Sequence, residues 1–404
     1  GSWHGTSSWV SGAYMSAAEP GRLIRDGQTH RVTFLELFFD LVFVYGLSQV
    51  TALLANDPTP AGFGKGLLLL ALLWWAWVAY SWLGTSVRLT DGWVRLAMFG
   101  AVGMVMIVAL SMPYWYDPSP GLSAALVAAG AYVGVRVLHV VLYYLGAKGD
   151  AGVRAAVTRL TGTVAIAAVL LLGGALVGGI AQVVLMVVAL AIDLVGPFLG
   201  RGEGWVLAPA HFVERHALIV IIALGESIVA IGVGAAGLGI SAPLLLTAML
   251  AVAMSCLLWL TYFDRTADQI EHALLHRSGL SQITTARDAF SYLHFGLVAG
   301  LVLIALAMKS ALGYSAKYGV SYHLAGYAAV SVGVGLALFL LTLWAIRWRS
   351  GLATTPWWWV CVIGALLLVP LGLVVPIWLT LVGALVLSAI AVQLTRISDA
   401  GSSP

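Results

Sequence analysis

Charge is what this sequence has least of. Its 404 residues include 20 Lys and Arg and 17 Asp and Glu, so 9% are charged while 61% are hydrophobic. A soluble domain carries about a quarter charged residues, which excludes a water-soluble globule. The net charge of +3, with no basic cluster, excludes nucleic acid as a partner. Only two cysteines occur, Cys256 and Cys361, both inside apolar runs, so neither a disulfide framework nor a structural zinc site is expected. No P-loop, GxSxG elbow, CxxCH haem site or dinucleotide fingerprint is present. A retinal Schiff base needs a mid-helix lysine, and Lys309 stands at a helix end with the other three in loops. No cofactor, metal or catalytic group is therefore expected. Residues 1–30 are mostly polar and lack a signal-peptide core; they read as a cytoplasmic N-terminal segment, and 397–404 as a disordered tail.

What is present is long apolar runs. The mean hydropathy is +0.98, and the runs are continuous rather than alternating, as a membrane β-barrel would require. With roughly 20 residues needed per crossing, the sequence predicts an all-α polytopic membrane protein of about twelve helices. Their limits fall near 33–54, 66–87, 94–113, 122–146, 158–178, 180–199, 212–235, 243–263, 290–309, 323–346, 357–371 and 373–395. Tight hairpins at Gly178-Gly179 and Pro376 are needed to separate the fifth helix from the sixth and the eleventh from the twelfth. Placing the N-terminus in the cytoplasm puts sixteen of the twenty Lys and Arg in inner segments, leaving Lys65, Lys309 and Lys317 outside and Arg136 within a helix. That bias predicts an even number of spans in the cell inner membrane with both termini cytoplasmic.

The sequence also matches itself. Phe99-Gly100 to Met112 pairs with Phe295-Gly296 to Met308 at an offset of 196; Gly46-Leu47-Ser48 pairs with Gly225-Glu226-Ser227 at 179; Trp77–Tyr80 pairs with Trp259–Tyr262 at 182. Such offsets predict two six-helix repeats in parallel orientation, over 31–200 and 201–396. The tryptophans, Trp74, Trp75 and Trp357–Trp359 among them, read as an interfacial aromatic belt.

The residues of interest are those that lipid disfavours. Glu36 and Asp40, four apart, share one helix face with Thr33, Phe43, Leu47 and Thr51. Two such acids repel, so one carries a proton or a cation, Arg or His neutralises them; the alternative is a pair of capping acids near a helix start. By helical rise, Arg136 stands on the order of 14 Å deep, His139 and Asp40 about 10 Å and Asp193 roughly 9 Å. They share a layer in which Arg136 should pair with Asp40, Asp193 or Glu226, and pairing with Glu226 across the repeat interface is a specific expectation. The seventh helix opens with His211, Glu214, Arg215 and His216. This is not a zinc-protease pattern, and it reads as a solvated inner-mouth polar cluster, with His216 pointing away from the face shared by His211, Arg215 and Glu226. Further along, Glu226 and Ser227 join the candidate binding or coupling groups. Since Glu36, Asp40, His139, Asp193, His294 and the opening of the seventh helix fall in the inner half, a water-filled inner vestibule below an apolar outer layer is expected.

The segments Glu36–Val44, His211–His216 and Leu224–Ser227 resemble the bacterial low temperature requirement A family over roughly residues 22–396. The resemblance implies a polytopic cytoplasmic-membrane protein and carries no settled activity with it. A weaker resemblance, in Arg31 and Phe39-Asp40, is to potassium channels built from two six-helix repeats, although the spacing is longer and a Ser is missing. The leading expectation is a transporter or channel-like protein for a small solute or ion. The alternatives are a membrane enzyme acting on a lipid-like substrate, with His211, Glu214 and His216 as its acid, base or metal groups, and a membrane sensor or scaffold. The reading leans away from an enzyme. The expected partners are the lipid bilayer, a small solute or ion, and further copies of the chain.

Overall fold

A computed structural model describes residues 31–87, 92–116, 123–200 and 202–400, the last with side chains through 397. The expectations for residues 1–30, for Arg88 and Arg201, and for most of the C-terminal tail lie outside the described residues. Helices dominate throughout. The first group is α1 (Phe34–Asn56), α2 (Pro60–Ser86), α3 (Gly92–Ser111), α4 (Ala124–Gly146), α5 (Ala151–Val177) and α6 (Gly179–Val195). The second comprises α7 (Pro209–Ala235), α8 (Ala242–Phe263), the short α9 (Thr266–Leu275) and α10 (Gly279–Thr285), α11 (His294–Tyr318), α12 (Gly326–Ser350), α13 (Trp357–Gly372) and α14 (Ile377–Ala400). Eleven of the helical stretches are long and apolar enough to cross a membrane, and α13, with 16 residues, is shorter.

Local chemistry sets the boundaries. Thr33 and Glu36 close a capping box at the start of α1, satisfying two of the amide donors that a helix start leaves open. Thr59, Ser123, Asp150 and Ser241 cap α2, α4, α5 and α8 through side-chain oxygens. Between α5 and α6 the chain turns at Gly178, whose φ of 71° is accessible to glycine at little strain, so the expected tight hairpin is present. The α13–α14 break falls at Leu373–Pro376, also as expected.

Burial orders the bundle. The most apolar windows of α2 and of the α10–α11 stretch are each 78% buried, against 33–39% for α3, α5 and α6. Thus α2 and α11 form the interior, while perimeter helices expose Val169, Leu176, Ile180 and Leu245, as lipid contact requires.

Two expectations need correction. Trp74, Trp75, Trp77 and Trp358 are buried, so the aromatic belt accounts only for exposed rings such as Trp93, Trp348, Trp357 and Trp359. The midpoint of α2 falls at its tryptophan cluster, in the bundle interior rather than at the headgroup level. The segment between the eighth and ninth spans is also helical, in α9, α10 and a stretch of π-helical turns over Ala286–Leu293 that runs directly into α11. Apolar-run reading stops at the charges of Arg287 and Asp288. Here Asp288 is neutralised by Arg287 at 2.7 Å and by Arg349 at 2.8 Å, so the helix continues through them.

Candidate functional site

The site is built along the contact between α1 and α7. Three bridges join them in register. His211 Nε2 lies 3.0 and 3.2 Å from the two Glu36 carboxylate oxygens. One turn on, Arg215 Nη2 donates to Asp40 Oδ1 at 2.8 Å. Farther along, the Ser48 hydroxyl donates to the Glu226 carboxylate, which Thr51 also faces. Both helices run in the same direction, which is why partners recur at nearly constant separations of 175, 175 and 178 residues.

Each bridge has its own surroundings. Glu36 Oε2 also accepts from the Thr33 amide and hydroxyl, both at 2.9 Å, so one carboxylate caps α1 and binds α7. Its close approach to α2 depends on Gly84, where a Cβ would stand 2.3 Å from Glu36 Oε1. Asp40 receives a second donor, Trp77 Nε1 at 2.9 Å, on the same oxygen that Arg215 occupies. The Arg215 guanidinium also lies over the Trp77 ring, 5.5 Å from its centre. Among the described residues Asp40 Oδ2 and Arg215 Nε and Nη1 have no hydrogen-bond partner. Asp40 and Arg215 are each 1% exposed, so these atoms are withdrawn from bulk water. Glu226 meets hydroxyls rather than a guanidinium, and eleven residues of α7, about 16 Å by helical rise, separate it from the Arg215 layer.

Beside this ladder stands a second ion pair, Arg136 Nη2 to Asp193 Oδ1 at 2.8 Å, joining α4 to α6. The expected pairing of Arg136 with Glu226 does not occur. α2, which packs on both α4 and α7, keeps them apart, and Asp193 is the acid within reach. His139, one turn along α4, is buried between the Tyr80 and Tyr143 rings at 5.7 and 5.6 Å.

The α7 opening is also not a solvated mouth. His211, Arg215 and His216 are 0–1% exposed and only Glu214 reaches solvent, accepting there from the Val32 amide. α1, α2, α9 and α11 enclose this helix start, which buries faces that the sequence alone would leave open. His216 faces a buried aromatic cluster instead of the α1 carboxylates: its ring sits 4.9 Å from Trp77, 5.1 Å from Phe290 and 5.3 Å from His294. His294 in turn receives the Tyr262 hydroxyl, with 2.9 Å between Tyr262 Oη and His294 Nε2.

In place of one wide vestibule, two hollows lie near this polar layer. A cavity of ≈ 50 Å³ lies against Trp75, Trp82, Arg136, His139 and Arg287, and a crevice of ≈ 390 Å³ lies against Glu203, Trp205 and Gln282. Sequence reasoning missed Trp77, Gly84 and Ser291. Ser291, within the π-helical turns, accepts from Trp74 Nε1 through its carbonyl and from Trp82 Nε1 through its hydroxyl, both at 2.8 Å. The available signal was the Trp74–Trp77 spacing at the centre of a span, where a belt residue has no reason to be.

An uncharacterized protein of Rhizobium meliloti (strain 1021), RA0937, is 28% identical over 335 residues, covering 79% of this chain and 78% of that protein. No solved structure matches the chain. The family model described as bacterial low temperature requirement A protein matches residues 31–393, nearly all of the span within which the ladder and the Arg136–Asp193 pair lie. The chain is an integral membrane protein of the bacterial low temperature requirement A family.

Proposed function

We propose that this protein is a transporter or channel-like protein for a small solute or ion in the cytoplasmic membrane, with both termini on the cytoplasmic side. In this reading Asp40 is the coupling carboxylate, Arg215 its internal counter-charge and Glu226 a second carboxylate farther across the membrane. Glu36, His211, Arg136, His139, Asp193 and Ser227 complete the polar layer, and Glu214 and His216 border it. The two halves are the products of duplication, and α1 with α7 is the seam between them.

One observation carries the proposal: Asp40 has one oxygen held by two donors and another with none, inside an apolar bundle. Buried ion pairs contribute little net stability compared with apolar packing, and intramembrane charges mark substrate or proton pathways. A carboxylate with a spare acceptor oxygen can take a proton or cation there while Trp77 still holds the other oxygen. Breaking the Arg215 contact when that happens supplies the two states that coupling requires.

The test is charge movement. Proteoliposomes adsorbed to a solid-supported membrane should give a transient current on a pH jump, well above that of protein-free liposomes. Asp40→Asn should reduce it at least tenfold and Glu226→Gln should alter its time course. An unchanged current in Asp40→Asn refutes the assignment.

A further inference from the structure

The ≈ 50 Å³ cavity is a second feature with its own chemistry, set off from the α1–α7 ladder by α2. Its apolar walls come from Trp75, Val78, Trp82, Tyr143, Trp205 and Ile283. Its charged lining residues are Arg136 and Arg287, with His139 beside them, and no carboxylate is among the described residues that line it. The donors in this lining with no acceptor among the described residues include Arg136 Nε and Trp75 Nε1. An indole N–H and a guanidinium N–H can only donate, so what they lack is an oxygen acceptor bearing negative charge or partial charge.

Size narrows the choice. At about 10–15 Å³ per water on this measure, the space takes on the order of four waters, roughly 120 Å³ of liquid. That suits a carboxylate on a short aliphatic body, and it is too small for a ring with an acid group, a lipid or a nucleotide. We propose that this cavity binds a small monocarboxylate with a compact apolar body, its acid group directed to Arg136 and Arg287 and its body held among the Trp and Tyr rings. The inference deepens the transporter reading by naming a substrate class, and it rests on that reading for its physiological meaning but not for its test.

The probe is propionate, titrated into the purified full-length protein in detergent and followed by tryptophan emission and by calorimetry. Propionate should change the emission saturably, because three tryptophans line the cavity. Propionamide and propylammonium, of similar shape but uncharged or cationic, should bind at least tenfold more weakly. Arg287→Gln should weaken propionate binding by tenfold or more. So should Arg136→Gln combined with Asp193→Asn, a pairing that strands no buried charge. Equal binding of propionate and propionamide overturns the proposal, as does unchanged affinity in Arg287→Gln. Propionate binding in a protein without pH-jump currents sustains this site while the transport reading falls. Currents without propionate binding do the reverse.

Discussion

At Asp40 the bundle has to compensate a carboxylate that water would otherwise solvate, and it does so with one guanidinium and one indole. Removing either charge alone leaves the other buried and unpaired, which costs about 3–5 kcal/mol, whereas removing both is close to neutral. Asp40→Asn and Arg215→Gln should therefore each lower the thermal midpoint in detergent clearly, and the double variant should recover most of the loss. Additive losses would show that the two side chains do not depend on each other. Gly84 gives a second residue-scale prediction. Gly84→Ala drives a methyl against Glu36 Oε1 and should destabilise by about 1–3 kcal/mol. Gly100→Ala, where a Cβ meets nothing within 4 Å, should be neutral or stabilising by up to ~1 kcal/mol. The same denaturation assay reads both. Glu36 and Asp40 were legible in the sequence because two acids on one helix face need neutralisation. Their partners were not, because His211 and Arg215 become partners only through the side-by-side placement of α1 and α7, which no local pattern encodes. For the same reason Arg136 was recognised as paired, with Asp193 among its three candidate acids, while the narrower expectation of Glu226 failed.

The helices themselves follow closely from composition. The observed limits match the apolar runs at Thr33, Gly178 and Pro376, whereas α2 and α5 begin earlier than the runs, at their Thr59 and Asp150 caps, and α11 continues beyond its run to Tyr318. They also depart where charges pair: the run of π-helical turns passes through Arg287 and Asp288 because Arg349 of α12 reaches across to Asp288. π turns widen the helix and free carbonyls for outside donors, and the indoles of α2 use this at Ser291. Trp74→Phe keeps the ring and removes its donor, leaving the Ser291 carbonyl buried, so a loss of about 1–3 kcal/mol is expected. Trp93→Phe, at an exposed ring, should stay within ~0.5 kcal/mol. Equal effects of the two substitutions in a thermal-shift series would mean that α2 is not tied to the π-helical segment. The rule that places tryptophans at interfaces was misleading for α2, since it describes lipid-facing helices and α2 is enclosed by others.

For the molecule as a whole, the low proportion of charge already implied a membrane protein, and the excess of arginines on one side of the spans implies an orientation. In a background with Cys256 and Cys361 replaced, Pro58→Cys in the α1–α2 connection should react with an impermeant maleimide on intact cells. Lys148→Cys, after α4, should react only once the membrane is opened. The reverse pattern would invert the topology. Orientation decides which compartment the Glu36–His211 and Asp40–Arg215 layers face, and so which side supplies the proton or ion that Asp40 takes up. Whether these pairs serve function or only packing is separated most directly by the pH-jump current of the Asp40→Asn/Arg215→Gln double variant. With neither charge stranded, that protein should fold as well as the parent, so any loss of current belongs to function. The account predicts a folded protein whose current is at least tenfold smaller. A folded double variant with the parent's full current would contradict it.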